Sequence, residues 1–234
     1  MKCAIMQPTY LPWYGYFSLI DSVDKFVFLD DVQLEKRNWQ IRNRIKSDHG
    51  EMMLSVSVNR PYGRIDTMIN QAELDMTQPW KRKHLKSIET AYRKSTYFPI
   101  VYPFLEQLIM QPHVLLSHFT IEIIKSISQQ LEITTKFFLS SEIPHCKKAK
   151  DERLAEICNQ VGGIEYISPI GAACYIDKKT PGGAIAKNGI RLNYQNINHP
   201  IYPQLYGEFI SHLSIVDMLF NCGFEQTSEL IKQK

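Results

Sequence analysis

The sequence predicts an α/β protein with a Rossmann-like, mostly parallel sheet and a helical insertion or subdomain. Short apolar runs at residues 2–6 and 26–29 flank an amphipathic segment, a pattern typical of a strand, a helix and a second strand. A similar alternation returns over residues 136–168. Residues 77–131, between these stretches, are predicted to be mainly helical. We therefore expect a single α/β domain over residues 1–234, with the helical insertion at 77–131.

Periodicity and helix-breaking residues predict the elements of the first half. The helix after the first strand has Trp13, Phe17 and Ile20 on one face, and a further strand is predicted at 52–58. Pro79 marks the start of the helical block, and breaks within the block are predicted at Pro99, Pro103 and Pro112. The apolar stripe of its last helix consists of Leu116, Phe119, Ile123, Ile127 and Leu131.

The second half is predicted to alternate again between strands and helices. In chain order these are strands at 136–139 and 164–168 around a helix at 151–161, a strand-like run at 190–194, and helices at 213–221 and 226–231. Gly162 and Gly163 end the first of these helices as a C-cap does. The polar turn at 177–183 is predicted to be a surface turn, with a mobile flap as the alternative.

Composition and charge restrict the class of protein. The 234-residue chain has 44% hydrophobic and 22% charged residues, as globular proteins do, and a net charge of +3 does not by itself indicate a nucleic-acid partner. Its five cysteines lack the spacing of a metal or redox site, so no metal is predicted. No signal peptide or membrane-spanning segment is recognised, and we expect a cytoplasmic protein.

The loop after the first strand is the first candidate site. It contains Gln7, Tyr10, Trp13, Gly15 and Tyr16, and Gly15 lets a ligand approach the following helix closely. The loop fits the frame of HIGH-type nucleotidyltransferases, but Trp13 and Tyr16 replace the two histidines. Neither indole nor phenol carries the positive charge that stabilises a pentavalent phosphorus. We therefore expect a nucleotide pocket in a HUP/nucleotidyltransferase-like fold, with adenylyl transfer disfavoured.

Two carboxylates, Asp30 and Asp31, end the second predicted strand. The carboxyl ends of parallel strands form the ligand crevice of α/β proteins, so an acid there is expected to bind a ribose hydroxyl, an amine or a magnesium-bridged phosphate. The structural alternative is that one of the two caps the following turn.

The basic segment at 36–46 combines guanidinium, ammonium and carboxamide groups, which suit a phosphate or a sugar. The candidate binding residues in it are Arg37, Asn38, Arg42, Asn43 and Lys46. Treated as a helix, the segment places Asn38 and Arg42 on one face. A solvated basic face is the alternative, and it is favoured for Lys36 and Arg44.

A second basic run, residues 81–86, lies at a predicted helix start, where the helix dipole disfavours cations. We therefore expect these basic side chains either to bind an anion or to be exposed to solvent. His84 in this run lies among polar groups, is expected to titrate near neutrality, and is the histidine nominated as an acid or base. His199 and His212 show no arrangement that indicates a site.

A polar strip crosses the apolar helix predicted near the C-terminus. The strip consists of Ser214, Asp217 and Asn221. It faces solvent or lines a cavity, and in the second case Asp217 is a base or an amine anchor. Gln204, in the segment before this helix, is a further candidate binding residue.

Six motifs follow one another through nearly the whole chain. They are MQPTYLPWYGYFSLI from Met6, FVFLDDVQLEKRNWQIRNRIK from Phe26, WKRKH from Trp80, YISPIGAACYI from Tyr166, HPIYPQ from His199 and LSIVDMLFNCG from Leu213. In these motifs the chain resembles the WbqC-like family of bacterial proteins, with one departure at Pro169, where glycine is expected. The resemblance implies an enzyme of surface-polysaccharide or O-antigen loci that transfers an aminoacyl group, glycyl among the candidates, to an amino sugar.

The leading hypothesis is a cytoplasmic enzyme that transfers an acyl or aminoacyl group to a nucleotide-activated amino sugar. Such a substrate offers its phosphates to the basic segment, its base or sugar face to Trp13 and Tyr10, and its amine to Asp31 or Asp217. One of these carboxylates, or His84, would deprotonate the amine. The residue pattern identifies no cofactor.

Two alternatives stay open. One is nucleotidyl transfer by a modified HIGH-type site. The other is an RNA-binding module that uses basic and aromatic side chains, namely Arg37, Trp39, Arg42, Lys83 and Arg93. A nucleic-acid partner is the less favoured reading, because the candidate set includes many amides and acids that a phosphate track does not need.

Overall fold

A computed structural model describes residues 1–36, 38–144, 149–178 and 180–233. Its contacts divide the chain into two compact units. Unit 1 consists of Met1–Gln7, Ser18–Asp31 and Ile133–Asn198. Unit 2 consists of Pro8–Phe17, Val32–Glu132 and His199–Lys234. The single domain expected over residues 1–234 stays a prediction.

The elements are numbered in chain order. The strands are β1 (Lys2–Met6), β2 (Lys25–Phe28), β3 (Arg42–Ser47), β4 (Gly50–Ser55), β5 (Val58–Asn59), β6 (Glu73–Leu74), β7 (Lys136–Leu139), β8 (Glu165–Ser168) and β9 (Arg191–Tyr194). The helices are α1 (Tyr14–Asp21), α2 (Gly63–Asp66), α3 (Trp80–Tyr92), α4 (Phe98–Met110), α5 (Leu116–Gln130), α6 (Lys150–Gln160), α7 (Ala173–Ile176), α8 (Gly183–Lys187) and α9 (Ile215–Lys232). Within the described ranges, none of these helices combines the length and the apolarity that crossing a membrane requires.

Unit 1 is built on a five-stranded sheet with the order β7-β2-β1-β8-β9. Every neighbouring pair is parallel, from Lys25 beside Lys136 at one edge to Glu165 beside Arg191 at the other. The α/β prediction is thereby confirmed, and the sheet is compatible with a Rossmann-like fold. The narrower nucleotidyltransferase-like assignment stays a prediction.

Helices α6, α7 and α8 pack against one face of this sheet. The core there combines Cys3 of β1 and Val27 of β2 with Ile157 of α6 and Ile185 of α8. Gly163 follows α6, and a Cβ atom at this position would lie 2.5 Å from the Cys3 sulfur. Glycine is therefore required where the chain passes β1 on its way into β8.

Unit 2 packs helices α3, α4, α5 and α9 with the antiparallel ribbon of β3 and β4. All five residues of the stripe predicted for α5 are buried, which confirms that prediction. The rings of Tyr92 on α3 and Phe220 on α9 stack with centroids 4.5 Å apart. Within α9, Gly223 has φ 75° and ψ 178°, so the predicted division of the C-terminal helices at this glycine is confirmed.

Two expectations differ from the structure. The helical geometry considered for the segment at 36–46 does not apply to residues 42–47, which form strand β3 with Asn43 and Ile45 turned inward and Arg42 and Arg44 turned the other way. Helix α4 continues through Pro103, with Leu105 buried in the next turn. Packing of the apolar face outweighs the one backbone hydrogen bond that this proline removes.

Candidate functional site

One surface of unit 2 presents an indole beside two guanidinium groups. Trp39 is 44% exposed. The guanidinium carbons of Arg42 and Arg44 lie 5.8 and 5.6 Å from its ring centroid. We call these three residues the Trp39 face. They are neighbours because β3 places the arginines two positions apart, on the same side of the ribbon.

The two arginines of the Trp39 face differ in their partners. Arg44 binds both carboxylate oxygens of Glu51 at 2.8 Å and donates to the carbonyl oxygen of His212 at 3.2 Å. The Nε atoms of both arginines are buried and have no hydrogen-bond partner among the described residues, so they do not distinguish the two side chains. Arg42 forms no ion pair among the described residues, whereas Arg44 pairs with Glu51, so the charge of Arg42 is the one available to an external anion.

Trp13 packs against two imidazoles that the sequence had not assigned to a site. The ring centroid of Trp13 lies 4.9 Å from that of His212 and 6.1 Å from that of His199, and the two imidazoles are 5.0 Å apart. We call these residues the Trp13 cluster. The hydrogen bond from Arg44 to His212 joins this cluster to the Trp39 face.

The imidazoles of the Trp13 cluster have different environments. His199 donates from Nδ1 to the carbonyl of Pro200 at 2.9 Å and accepts the backbone N–H of His212 at Nε2. Burial lowers the pKa of His199 below its usual value. His212 is exposed, adopts φ 58°, and approaches the Ser211 hydroxyl through Nδ1 at 2.8 Å. His199 is therefore held neutral, and His212 is the imidazole open to a ligand.

The sequence contained a weak signal for this cluster. Trp13 occupies a histidine position of the HIGH frame, and a histidine begins the HPIYPQ motif. Their contact depends on chain segments at opposite ends of the sequence, which periodicity cannot pair.

A second polar group in unit 2 surrounds the carboxylate of Asp217. Tyr92 and Tyr202 each donate a hydroxyl hydrogen bond of 2.8 Å to it. Gln204 donates to the Tyr202 oxygen at 3.1 Å and accepts from the Lys46 ammonium at 3.2 Å. The structure thus brings together three predicted site residues, Lys46, Gln204 and Asp217.

Burial decides the character of this Asp217 network. Asp217 is fully buried, and burial raises its pKa, although the two tyrosine hydroxyls and Lys46 act in the opposite direction. The solvent-facing alternative for the polar strip is therefore wrong at Asp217 and at Ser214, which caps α9. Asn221 donates to the carbonyl oxygen of Asp217 within the same helix.

His84 is buried beside Tyr10 on α3. Its Nε2–H donates to the carbonyl of Ser55 at 3.1 Å, and its Nδ1 lies 3.0 Å from the hydroxyl of Tyr10, which donates to it. Burial lowers the pKa of His84 to about 4. The expectation that His84 titrates near neutrality is wrong. The sequence predicted a polar environment for this side chain, but the imidazole is buried away from water, and burial disfavours its charged form. Asn43 fixes the same loop by donating to the carbonyls of Tyr10 and Leu11.

The two aspartates at the end of β2 belong to unit 1 and have protein partners. Asp30 is buried and accepts the backbone N–H of Ser141 at 3.0 Å and its hydroxyl at 2.7 Å. These contacts hold the turn after β7. The alternative placed the cap on the turn that directly follows the two aspartates, so it stays a prediction. Asp31 accepts the Ser140 hydroxyl and pairs with Arg153. Its catalytic role, like that of His84 and Asp217, stays a prediction.

The remaining candidates are distributed over the two units. Gln7 follows β1 in unit 1 and is half-buried. Gly15 and Tyr16 lie in the first turn of α1, where Tyr16 is buried, so its ring is part of the core. Asn38 donates to Glu35 at 2.6 Å and accepts the backbone N–H of Trp39. Arg37 lies outside the described residues.

Among the described residues, no three or more His, Cys, Asp or Glu side chains are grouped so that they could hold a metal ion. The Trp13 cluster and the Trp39 face together offer an exposed imidazole, an arginine without an ion pair among the described residues, and an exposed indole. Together these groups can stack a ring, bind an anion and accept a proton.

Comparison with known proteins identifies the family. A model of the WbqC-like protein family matches residues 7–229. The "Uncharacterized protein Rv1507c" of Mycobacterium tuberculosis (strain ATCC 25618 / H37Rv) is 34% identical over 226 residues, which cover 96% of this chain and 95% of that protein. No solved structure matches the chain. The resemblance of the six motifs is thus confirmed, and the chain belongs to the WbqC-like protein family.

Proposed function

We propose that this protein is a transferase of bacterial surface-glycan biosynthesis that attaches an acyl or aminoacyl group to the amine of a nucleotide-activated amino sugar. The family resemblance supports the biological setting. The site that supports the chemistry is the continuous surface formed by the Trp39 face and the Trp13 cluster.

The observation that carries the proposal is the bond from Arg44 to the carbonyl of His212, at 3.2 Å. It places the backbone of His212, whose side chain is exposed, next to the guanidinium of Arg44 in the Trp39 face. A nucleotide sugar has the complementary groups in one molecule, namely a base that stacks on indole, a diphosphate for arginine, and a sugar amine. Arg42 is the diphosphate ligand in this arrangement, and Trp39 is the base platform.

His212 acts as the general base in the proposed reaction. The neutral amine of the sugar attacks the acyl carbon of the donor, a carbon–nitrogen bond forms, and the bond from that carbon to the donor's leaving group breaks. The ammonium proton released by the new amide passes to the imidazole of His212, and the leaving group takes its electron pair with it. His199, stacked nearby and held neutral, positions His212 through its bond to the His212 backbone N–H.

Calorimetry of the full chain against UDP-, GDP- and dTDP-linked amino sugars tests the binding step. We expect saturable binding of at least one of them and a roughly tenfold or greater loss of affinity in Trp39→Ala, as for a stacked base. Arg42→Ala is expected to weaken binding similarly. Arg93→Ala, an exposed arginine at the end of α3, is the matched control and should bind as the wild type does.

Two results would reject the proposal. One is the absence of binding by any nucleotide amino sugar. The other is equal affinity in Arg42→Ala and Arg93→Ala. If binding is established, His212→Gln should retain affinity and lose acyl transfer, which separates the proton transfer step from ligand recognition.

A second candidate, nucleotidyl transfer, is favoured by one specific observation, the two imidazoles against Trp13. They lie beside the residue that replaces a histidine of the HIGH frame. Release of pyrophosphate from a nucleoside triphosphate in the presence of a sugar phosphate would distinguish this activity from acyl transfer.

A further inference from the structure

Unit 2 contains a cavity of about 350 Å³ between β4 and the start of α3 that neither the Trp39 face nor the Trp13 cluster uses. Its polar lining consists of Ser55, Ser57, Gln78, Lys83, His84 and Ser87. We call it the Lys83 cavity. Its volume lies at the lower end of the range for small-molecule sites, about 300–1,000 Å³.

Lys83 is the cationic side chain of this cavity, and the lining contains no carboxylate. The neighbouring lysines of the same basic run are already bound: Lys81 donates to the carbonyl of Gln111 at 2.6 Å, and Lys86 pairs with Glu89 at 2.9 Å. Among the described residues, by contrast, none forms an ion pair or a side-chain hydrogen bond with Lys83. This ammonium group is therefore available to an anion that enters the cavity.

Three further side chains complement a polar ligand. The hydroxyls of Ser57 and Ser87 and the carboxamide of Gln78 line the cavity. Within the part of the chain that the structure describes, these three side chains make no hydrogen bond. Hydroxyl and carboxamide groups both donate and accept, so they suit the hydroxyls of a sugar.

His84 forms a fixed wall of the cavity. Its two ring nitrogens are used by Ser55 and Tyr10, and both it and Trp80 are more than nine-tenths buried. The cavity therefore offers no exposed aromatic face on which a nucleobase could stack. We therefore expect the ligand of this cavity to lack a nucleobase, unlike the nucleotide expected at the Trp39 face.

We propose that the Lys83 cavity is a second binding site, and that it takes a small sugar phosphate, with the phosphate on Lys83 and the sugar hydroxyls on Ser57, Gln78 and Ser87. The site goes beyond the proposed transferase activity and does not depend on it. The negative charge of the phosphate complements the ammonium group of Lys83. The sugar hydroxyls complement the side chains of Ser57, Gln78 and Ser87, which make no hydrogen bond within the described residues.

Calorimetry of the full chain with ribose 5-phosphate, ribose and inorganic phosphate tests the site. We expect saturable binding of ribose 5-phosphate that is tighter than that of either smaller probe. Lys83→Gln should weaken it at least tenfold. Lys86→Gln is the matched control, because it removes a lysine of the same helix that does not line the cavity, and it should leave the affinity unchanged.

Several outcomes would overturn the proposal: no saturable binding by the wild type, equal losses in Lys83→Gln and Lys86→Gln, or inorganic phosphate binding as tightly as ribose 5-phosphate. A loss in Trp39→Ala as large as that in Lys83→Gln would assign the ligand to the Trp39 face instead. The proposed transferase function is tested separately, because Lys83→Gln should keep its affinity for nucleotide amino sugars.

Discussion

The carboxyl group of Asp217 lies in the interior of unit 2, and each of its oxygens accepts one tyrosine hydroxyl. Lys46 supplies a nearby positive charge that lowers the cost of this carboxylate. Buried ionised groups persist only when they are paired and hydrogen-bonded, so every member of the network depends on the others.

Asp217→Asn is expected to destabilise the protein by about 3 kcal/mol, because the amide opposes a buried tyrosine hydroxyl with another donor and leaves that hydroxyl without an acceptor. Urea unfolding at neutral pH measures the loss. Asp48→Asn, at an aspartate whose side chain is 64% exposed, is the control and should change stability by less than about 0.5 kcal/mol. Equal effects of the two variants would show that the network is not stabilising.

His84 makes the stability of the protein depend on pH. Its pKa in the folded state is lowered to about 4 from 6.5, so the unfolded chain takes up a proton that the folded protein excludes. The folded protein therefore has the full stability that depends on this residue at pH values above 6.5, the pKa of His84 in the unfolded chain. This stability declines as the pH falls from there towards about 4, the pKa of His84 in the folded state. The expected loss from this residue is about 3 kcal/mol.

Unfolding by urea between about pH 7 and pH 4 tests this prediction. The wild type should lose more stability over the range than His84→Gln, which has no imidazole to protonate. His118→Gln, at an exposed histidine of α5, should retain the wild-type decline. The prediction fails if His84→Gln and the wild type show the same slope.

At the scale of single residues, the sequence indicates which side chains have suitable chemistry, but it does not indicate which of them lie in contact. Asp217, Lys46 and Gln204 were all selected for their polarity, and the structure joins them in one network. Sequence reasoning missed His199 and His212, because their significance comes from contact with Trp13, a residue far away in the chain.

At the scale of elements, Gly223 determines how α9 is built. Its φ of 75° and ψ of 178° fall in a region that is essentially restricted to glycine. A Cβ atom there would also lie 2.6 Å from the ring of Tyr97. The helix therefore changes direction at a position where no side chain fits.

Gly223→Ala is expected to cost about 3 kcal/mol or more, since backbone strain and the clash with Tyr97 add. Gly207→Ala separates the two causes. Gly207 has φ 67° but open space around its missing Cβ, so this control should show strain alone, about 1 kcal/mol. Chemical denaturation of both variants gives the comparison, and similar losses would exclude a steric role for Tyr97.

Elements with a regular spacing of apolar residues could be predicted from the sequence, whereas the antiparallel ribbon of β3 and β4 could not. The α5 stripe and strand β7 agree with the pattern of the sequence, because local apolar spacing determines both. The segment at 36–46 fits both a helix and a strand by its charges. Residues 42–47 form a strand because they pair with β4, where Arg42 lies opposite Ser55. A local pattern does not reveal this pairing, because β4 comes later in the chain.

At the scale of the whole molecule, neither unit is a continuous piece of sequence. The sheet of unit 1 takes β1 and β2 from before residue 132 and β7, β8 and β9 from after it. Unit 2 likewise needs α9 from the C-terminal end to cover Tyr92. Each unit is therefore complete only when both halves of the chain are present.

We expect residues 1–132 and 133–234, expressed separately, not to unfold cooperatively, because each fragment lacks part of every core. Far-UV circular dichroism with urea measures this, and co-expression of the two fragments is the control that should restore a cooperative transition. A cooperative transition in either isolated fragment would contradict the prediction.

The three tryptophans of the chain lie at three different places of functional interest. Trp13 stacks on His212, Trp39 lies beside two arginines, and Trp80 lines the Lys83 cavity. Intrinsic fluorescence therefore reports on each surface without a label, once the other two indoles are replaced by phenylalanine. Since Trp13 contacts both His199 and His212, its emission reports on ligand binding at the Trp13 cluster.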